Sequence, residues 1–343
     1  MGRVHPVDAL RRIAFLLERS QAPTYRVKAF RTAALTLAPL GDDELARRVR
    51  GASLTDLPGI GPKTAAVVTE ALAGGTPDYL TRLEQDAGPL TDGGQELRAA
   101  LRGDLHSHSD WSDGGSPIEE MAVTAAELGH EYLALTDHSP RLTVANGLSS
   151  VRLAKQLDVV AAVNEGMAGS GFRLLAGIEV DINEDGTLDQ REEMLDRLDV
   201  VVASVHSKLR SEPGPMTARM LAAVANPRTN VLGHCTGRLV TGGRGTRPES
   251  RFDAEAVFAA CAEHGVALEI NSRPERLDPP RRLLAQAVEA GCLFSIDTDA
   301  HAPGQLDWQV YGTERAQECG VPPERVVNTW PLEELLAWTS RRR

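Results

Sequence analysis

Six of the nine histidines in this 343-residue chain lie toward the ends of short apolar stretches, and several carboxylates lie with them. These are His106-Ser107-His108 followed by Asp113, then Asp137-His138, Glu179, His206, His234 and Asp297-Thr298-Asp299-Ala300-His301. On an extended strand residues i and i+2 point to one side, so the two outer members of HxH or DxH can reach the same ion. Imidazole and carboxylate together suit Zn, Mn or Fe. Nine candidate ligands (His106, His108, Asp113, His138, Glu179, His206, His234, Asp299 and His301) exceed the need of one ion and are enough for two or three. Clustered ions turn a bridging water into hydroxide, hold the non-bridging oxygens of a phosphate and offset charge on the leaving oxygen. The expected chemistry is therefore phosphoester hydrolysis, with His106, His108, Asp113, Glu179 and Asp299 at its centre. A lone strand-end histidine such as His206 is more often a structural hydrogen-bonding residue. The metal reading rests on the coincidence of so many at equivalent places.

The elements that must position these residues alternate. Short apolar runs at 103–109, 132–139, 173–182, 200–207, 230–237, 266–272 and 293–301 are separated by amphipathic stretches at 118–128, 151–167, 216–225, 254–263 and 281–290. Such alternation predicts βαβ units, a parallel sheet and an α/β barrel, with an open doubly wound sheet as the competing arrangement. Six of the seven runs end in a His or a carboxylate, and the rim at the C-terminal strand ends is where α/β barrels build their active sites. His130 and His264 precede strands and His5 lies outside them, so these three are expected to be structural or solvated. Asp137 and Asp297 adjoin candidate ligands and are expected to orient them. Residues 6–85 read as all helix, with apolar positions at Val7, Leu10, Ile13, Ala14 and Leu17 and a second helix over 27–37. The expected domains are 1–85, a linker over 86–102 that opens rich in Gly, Pro and Asp, and 103–343.

Composition narrows the field. Hydrophobic content of 42% and charged content of 25% are those of a globular protein, and no stretch has the length or apolarity of a membrane span. No signal peptide is recognisable and the four cysteines form no CxxC pair, so reduced thiols and a cytoplasmic location are expected. The net charge of -11 argues against nucleic acid at first sight, but residues 1–87 carry 12 basic and 10 acidic side chains and the remainder 25 and 38. A mildly basic head precedes an acidic body, and bound cations would offset the rim carboxylates.

The strings DLHSHSDWSDG, LTDHS, AGIEVDI, SVHS, GHCTGRL, LEINSRPERLD and SIDTDAH, in this order, resemble the successive motifs of the PHP (polymerase and histidinol phosphatase) superfamily over residues 100–340. They are most similar to the PHP domain of bacterial family X DNA polymerases. The resemblance implies a distorted (β/α)7 TIM-like barrel with a trinuclear metal site, and it puts all nine candidates on that family's ligand positions. Cys235 stands where related domains usually have proline; the residue is read as a small buried filler.

A substrate phosphate also needs cations near the rim. Lys208, Arg238, Arg273 and Arg276 follow strands four to six and are the candidates, with Arg141 and the loop 139–149 as weaker ones. In the head, Leu57-Pro58-Gly59-Ile60-Gly61-Pro62-Lys63-Thr64-Ala65 is a hairpin entering a helix. Its glycines permit close approach, its new helix N-terminus offers N–H groups to a phosphate, and Lys63 adds charge. Together with YRVKAFRTAALTL it resembles the helix-hairpin-helix head of family X polymerases, which implies DNA-backbone binding through Gly59, Gly61 and Lys63. Val67 replaces the Schiff-base lysine of lyase-active members, and the stretch 86–102 leaves no room for a polymerase palm, so neither lyase nor polymerase activity is expected.

The function expected is a metal-dependent phosphoesterase at DNA ends, a 3'-5' exonuclease or 3'-phosphatase. The competing readings are a small-molecule phosphatase of the histidinol-phosphatase type and a catalytically silent DNA-associated scaffold. An amidohydrolase barrel is disfavoured, because no lysine lies on any of the seven strands.

Overall fold

The computed structural model describes residues 4–243 and 245–341; of the glycine-rich loop 242–247, Arg244 lies outside the described residues. Contacts divide the chain into two units, Met1–Pro89 and Leu90–Arg343.

The first unit is helical: α1 (Pro6–Arg19), α2 (Thr24–Leu37), α3 (Asp42–Arg50), α4 (Pro62–Leu72) and α5 (Asp78–Asp86). Pro6 opens α1 at a position where no N–H is needed, and His5 Nδ1 accepts from Val7 N at 3.3 Å. The helical stripe Leu10, Ile13 and Leu17 is buried together with Phe30, Leu37, Leu45 and Val68. Glu18 and Arg31, both nearly buried, form a two-pronged ion pair at 2.6 and 2.8 Å across α1 and α2. A 3-10 turn (Leu54–Asp56) leads into the hairpin before α4.

The second unit begins with α6 (Gln95–Ala100), inside the stretch 86–102 read from sequence as linker. Leu97 and Leu101 are buried in this unit's core, and Gly94 N donates to Gln317 Oε1 at 2.6 Å, so residues from about 94 onward are integrated rather than free. Then follow β1 (Gly103–Ser107), α7 (Ile118–Glu127), β2 (Tyr132–Leu135), α8 (Ser150–Gly166), β3 (Arg173–Asp181), α9 (Glu192–Leu195), β4 (Val200–Ser204), α10 (Pro213–Ala225), β5 (Val231–Leu232), α11 (Ala254–His264), β6 (Ala267–Asn271), α12 (Arg281–Glu289), β7 (Leu293–Asp297), α13 (Gln309–Glu318) and α14 (Leu332–Ser340). Each expected strand is present. The stretch 230–237 yields a ladder of two residues, because Asn230 Oδ1 takes the Val201 N–H at 2.9 Å.

The seven strands run parallel in the order β1-β2-β3-β4-β5-β6-β7. Where β7 meets β1 a single parallel bridge, Ser107 to Ala300, replaces a ladder. Side chains supply the rest of the seam. Asp297 Oδ1 accepts from Leu105 N at 2.8 Å, and Asp104 accepts from Thr298 N at 3.2 Å and from Thr298 Oγ1 at 2.5 Å. Two reciprocal carboxylates thus stand in for missing backbone pairing, and the sheet closes into a distorted seven-stranded barrel. The open-sheet alternative is ruled out by that seam.

Alternation along the strands sorts the core. Val200, Val202, Val231 and Ala267 point inward and pack with Leu335 and Trp338 of α14. Trp338 Nε1 donates to Gly265 O and Asn230 Nδ2 to Thr339 O, so α14 plugs the N-terminal end of the barrel. Val201, Ala203, Leu268 and Ile270 point outward beneath the helices. The C-terminal rim is left for polar residues. No helix among the described residues is long and apolar enough to cross a membrane.

Candidate metal centre

Each rim loop is held by a buried polar residue just behind it. His108 N donates to Ala300 O at 2.8 Å across the seam. Asp137, at the end of β2, accepts from Ser109 N (2.8 Å), Ser109 Oγ (2.6 Å), Gln156 Nε2 (2.6 Å) and Ser112 Oγ, which ties the loop carrying His108 and Asp113 to its neighbour. Burial pushes the Asp137 carboxyl up against these donors. Asp297 departs from its expected role: it closes the seam and donates nothing to ligand orientation directly. Burial and nearby Glu269 push its carboxyl up to about 6.

Glu179, 1% exposed on β3, is the hub. Its Oε1 lies 2.8 Å from His234 Nε2 and 3.2 Å from His206 Nε2; its Oε2 lies 2.8 Å from His138 Nδ1, 3.4 Å from His106 Nε2 and 3.7 Å from His108 Nε2. Burial opposes the charge, yet the surrounding imidazoles, His206 foremost, hold this carboxyl well below its usual range. Asp113 Oδ1 stands 3.4 Å from His138 Nε2 and 3.3 Å from His301 Nε2. Burial raises it and is outweighed by His301, so it too is held low. Asp299 has a left-handed backbone at φ 53°, a conformation costly for a non-glycine residue, and its Oδ1 lies 3.4 Å from His108 Nε2.

The histidines titrate apart. Burial, with His301 and His138 nearby, pushes His108 well down. Burial and Arg276 bring His234 to about 4. His206, disfavoured as a cation by burial but faced by Glu179 and Asp181, is pushed up to about 9. Strong shifts of opposite sign in one small volume mark a functional cluster.

Potential donor atoms converge within 4.8 Å in three overlapping groups: His108, Asp113, His138 and His301; His106, His108 and Glu179; His138, Glu179 and His206. His234 and Asp299 join them through Glu179 and His108. All nine residues singled out from sequence are therefore brought together. The donors fit divalent cations. His106 Nε2, both ring nitrogens of His108 and His206, and Glu179 Oε2 are buried without a hydrogen-bond partner. Buried lone pairs left unpaired are costly, and a cation is the partner that satisfies several at once.

The four cationic candidates separate. Arg276 Nε donates to Asp299 Oδ2 at 3.0 Å while its buried Nη1 has no partner. Arg273 Nη1 donates to Asp299 O at 3.0 Å and lies 2.8 Å from His301 Nδ1, so it braces ligands. Arg238 turns away: its Nε donates to Arg276 O at 3.0 Å and its Nη2 to Leu277 O, a brace for the loop rather than a phosphate contact. Lys208 is exposed on a left-handed backbone at φ 54°, two residues after His206. Arg141 Nη1 donates to Asn183 Oδ1 at 3.1 Å, at the side of the rim.

Two functional residues escaped the sequence reading. Glu269 Oε1 lies 2.5 Å from His106 Nδ1, and Asp181 Oδ1 accepts from His206 N at 3.0 Å. The available signal was an acid inside an otherwise apolar strand, as in LEINS and EVDI, where a charge demands a partner. Cys235 is buried with its thiol pushed well up by burial, which suits a filler. His130 is buried against Arg98 at 3.3 Å, away from the rim.

In the head, Gly59 has φ 77° and a Cβ there would meet Thr32 Cγ2 at 2.4 Å, so the hairpin needs glycine. Gly61 has open space around its Cβ position, its N–H donates to Thr64 Oγ1 at 3.0 Å, and Lys63 is exposed at the start of α4. Val67 is buried in the head's core.

Comparison with known proteins agrees with this division. The model of the PHP domain matches residues 104–273 and that of a helix-hairpin-helix domain matches residues 1–77. The chain is 36% identical over 241 residues to the DNA polymerase/3'-5' exonuclease PolX of Bacillus subtilis (strain 168), a match covering 70% of this chain and 41% of that protein. The chain thus spans less than half the length of that relative. It is 28% identical over 249 residues to the probable phosphatase YcdX of Escherichia coli O139:H28 (strain E24377A / ETEC), covering 69% of this chain and 94% of the relative. Among solved structures, it is similar to the histidinol phosphate phosphatase of Lactococcus lactis complexed with zinc, L-histidinol and phosphate, with a TM-score of 0.47 and 18% identity over 64% of this chain and 94% of that one. The chain joins a helix-hairpin-helix domain to a PHP domain.

Proposed function

We propose that the chain is a metal-dependent phosphoesterase acting at DNA ends, as a 3'-5' exonuclease or 3'-phosphatase. The observation that carries this reading is Glu179, buried among five imidazoles whose lone pairs largely lack hydrogen bonds. His106, His108, Asp113, His138, Glu179, His206, His234, Asp299 and His301 would hold two or three divalent ions, of which Zn, Mn and Fe suit the mixed donors. Such ions, when bound, lower the pKa of water and offset negative charge on phosphoryl oxygens. The chain's own residues do the rest. Arg276 anchors Asp299 with Nε and offers Nη1 to a phosphoryl oxygen. Arg273 steadies His301, and Lys208 supplies an exposed charge beside His206 for a neighbouring phosphate.

The DNA part of the reading rests on the head. Gly61, open at its Cβ position, and Lys63 at the start of α4 suit a sugar–phosphate backbone, read without base contacts. The similarity to a 3'-5' exonuclease over 70% of this chain points the same way. A cytoplasmic location fits the four free cysteines. A second reading, a phosphatase for a small soluble ester, is favoured by the match to nearly the whole length of a probable phosphatase. The deciding experiment assays purified protein with Mn or Zn against 3'-end-labelled DNA, DNA bearing a 3'-phosphate, and histidinol phosphate. Release of nucleotide or phosphate from DNA supports the first reading. Turnover of histidinol phosphate alone establishes the second, and no turnover by metal-loaded protein leaves a scaffold.

A further inference from the structure

We propose that Glu269 is the positioning residue of the rim cluster: it fixes the tautomer of His106 and, through the same carboxylate, the strand end that carries His234. The inference rests on the metal-centre reading above and names a residue outside the ligand set.

Glu269 lies in the middle of β6, points into the barrel and is fully buried. Its two oxygens serve three groups. Oε1 lies 2.5 Å from His106 Nδ1; Oε2 accepts from His234 N at 2.5 Å and from Asn271 Nδ2 at 3.2 Å. Asn271 Nδ2 also reaches Asp299 Oδ2 at 3.2 Å. One anion below the rim therefore connects β1, β5 and the loop after β7.

A carboxylate can only accept, so the hydrogen bond to His106 requires the proton on Nδ1. That leaves the Nε2 lone pair facing the hub, 3.4 Å from Glu179 Oε2 and without a hydrogen bond. A carboxylate behind an imidazole both orients the ring and makes its other nitrogen a better donor to a cation. A neutral glutamine would reverse this. With its oxygen kept on His234 N, its amide NH2 faces His106 Nδ1 and donates, which drives the imidazole proton to Nε2 and blocks the lone pair. A purely structural polar residue would tolerate that exchange; a positioning residue would not.

The test compares wild-type and Glu269→Gln full-length protein, first in chelator by circular dichroism, then by cobalt(II) titration against a competing chelator with the d–d absorption recorded. The expected result is a folded Glu269→Gln protein that binds one cobalt about 10- to 100-fold more weakly, with an altered d–d band. Unchanged affinity and spectrum overturn the proposal. Should Glu269→Gln not fold, metal-free wild-type protein labelled with 15N-histidine decides, at a pH where the ring is neutral: a His106 proton on Nδ1 supports it and one on Nε2 overturns it. Phosphoester turnover is measured separately on wild-type protein. Metal binding without turnover of any ester removes the proposed function while the inference stands; failure to bind cobalt or zinc at all removes both.

Discussion

Arg276 and Asp299 are joined by a hydrogen bond of 3.0 Å from Nε to Oδ2, while the other carboxylate oxygen faces His108 Nε2 at 3.4 Å. One carboxylate thus spends its two oxygens on different partners, an arginine behind and the imidazole cluster in front. Burial disfavours the Asp299 charge, but His108 and Arg276 hold the carboxyl well below its usual range. The buried Nη1 of Arg276 has no hydrogen-bond partner, and in the proposed function it is the atom that meets a phosphoryl oxygen.

Replacing Arg276 by lysine keeps the charge and loses the fork. We expect kcat/KM on DNA ends or a generic phosphomonoester to fall by roughly 10²- to 10³-fold, the scale of one pre-set oxyanion donor. Inhibition by inorganic phosphate should weaken in parallel. Wild-type phosphate inhibition in Arg276→Lys would remove Arg276 from the substrate site.

Chelation should destabilise the barrel. With free ion at about 1,000 times Kd, binding to the folded state alone contributes about 4 kcal/mol, so the barrel's thermal transition should drop by several degrees in EDTA and recover when Mn or Zn is added back. Glu179→Gln should abolish most of that difference, since five imidazoles share this carboxylate. Calorimetry with and without EDTA provides the comparison.

His130 gives a pH signature independent of the rim. Burial, reinforced by Arg98, lowers it from an ordinary value near 6.5 to about 3. The unfolded chain therefore binds a proton that the folded chain refuses between those values. Stability from this site is complete above about pH 6.5 and declines on acidification by up to about 1.4 kcal/mol per pH unit toward pH 3. In chelator, His130→Gln should show a shallower acid limb than wild type in denaturant titrations from pH 7 to 4. Parallel limbs would mean that His130 titrates alike in both states.

The two hairpin glycines should behave differently. Gly59→Ala forces a side chain into a left-handed backbone and against Thr32, so the head should lose stability. Gly61→Ala meets open space and should leave stability nearly unchanged, yet put a methyl group where a phosphate would approach. Lys63→Ala should weaken DNA binding and lower the slope of log K against log[salt] by about one. Binding titrations at several salt concentrations, beside melting curves, separate the effects; full affinity in both Gly61→Ala and Lys63→Ala would place the DNA contact elsewhere.

The strand-end residues were legible in the sequence because each follows a short apolar run, and the alternation of such runs with amphipathic stretches determines a parallel sheet and the end at which its polar residues gather, whereas its closure into a barrel was decided by the seam between β7 and β1. Glycines and a lysine in fixed order likewise determined the hairpin of the head. Tertiary structure decided what depends on partners far apart in the chain. Asp297 looked like a support for its neighbour Asp299 and instead closes the seam with Leu105, while Arg238 looked like Arg276 and instead braces a loop. Spacing along the chain fixes direction only within one element; which buried charge meets which partner is set by strand register and closure, and these brought Glu269 beneath His106 across 163 residues of sequence.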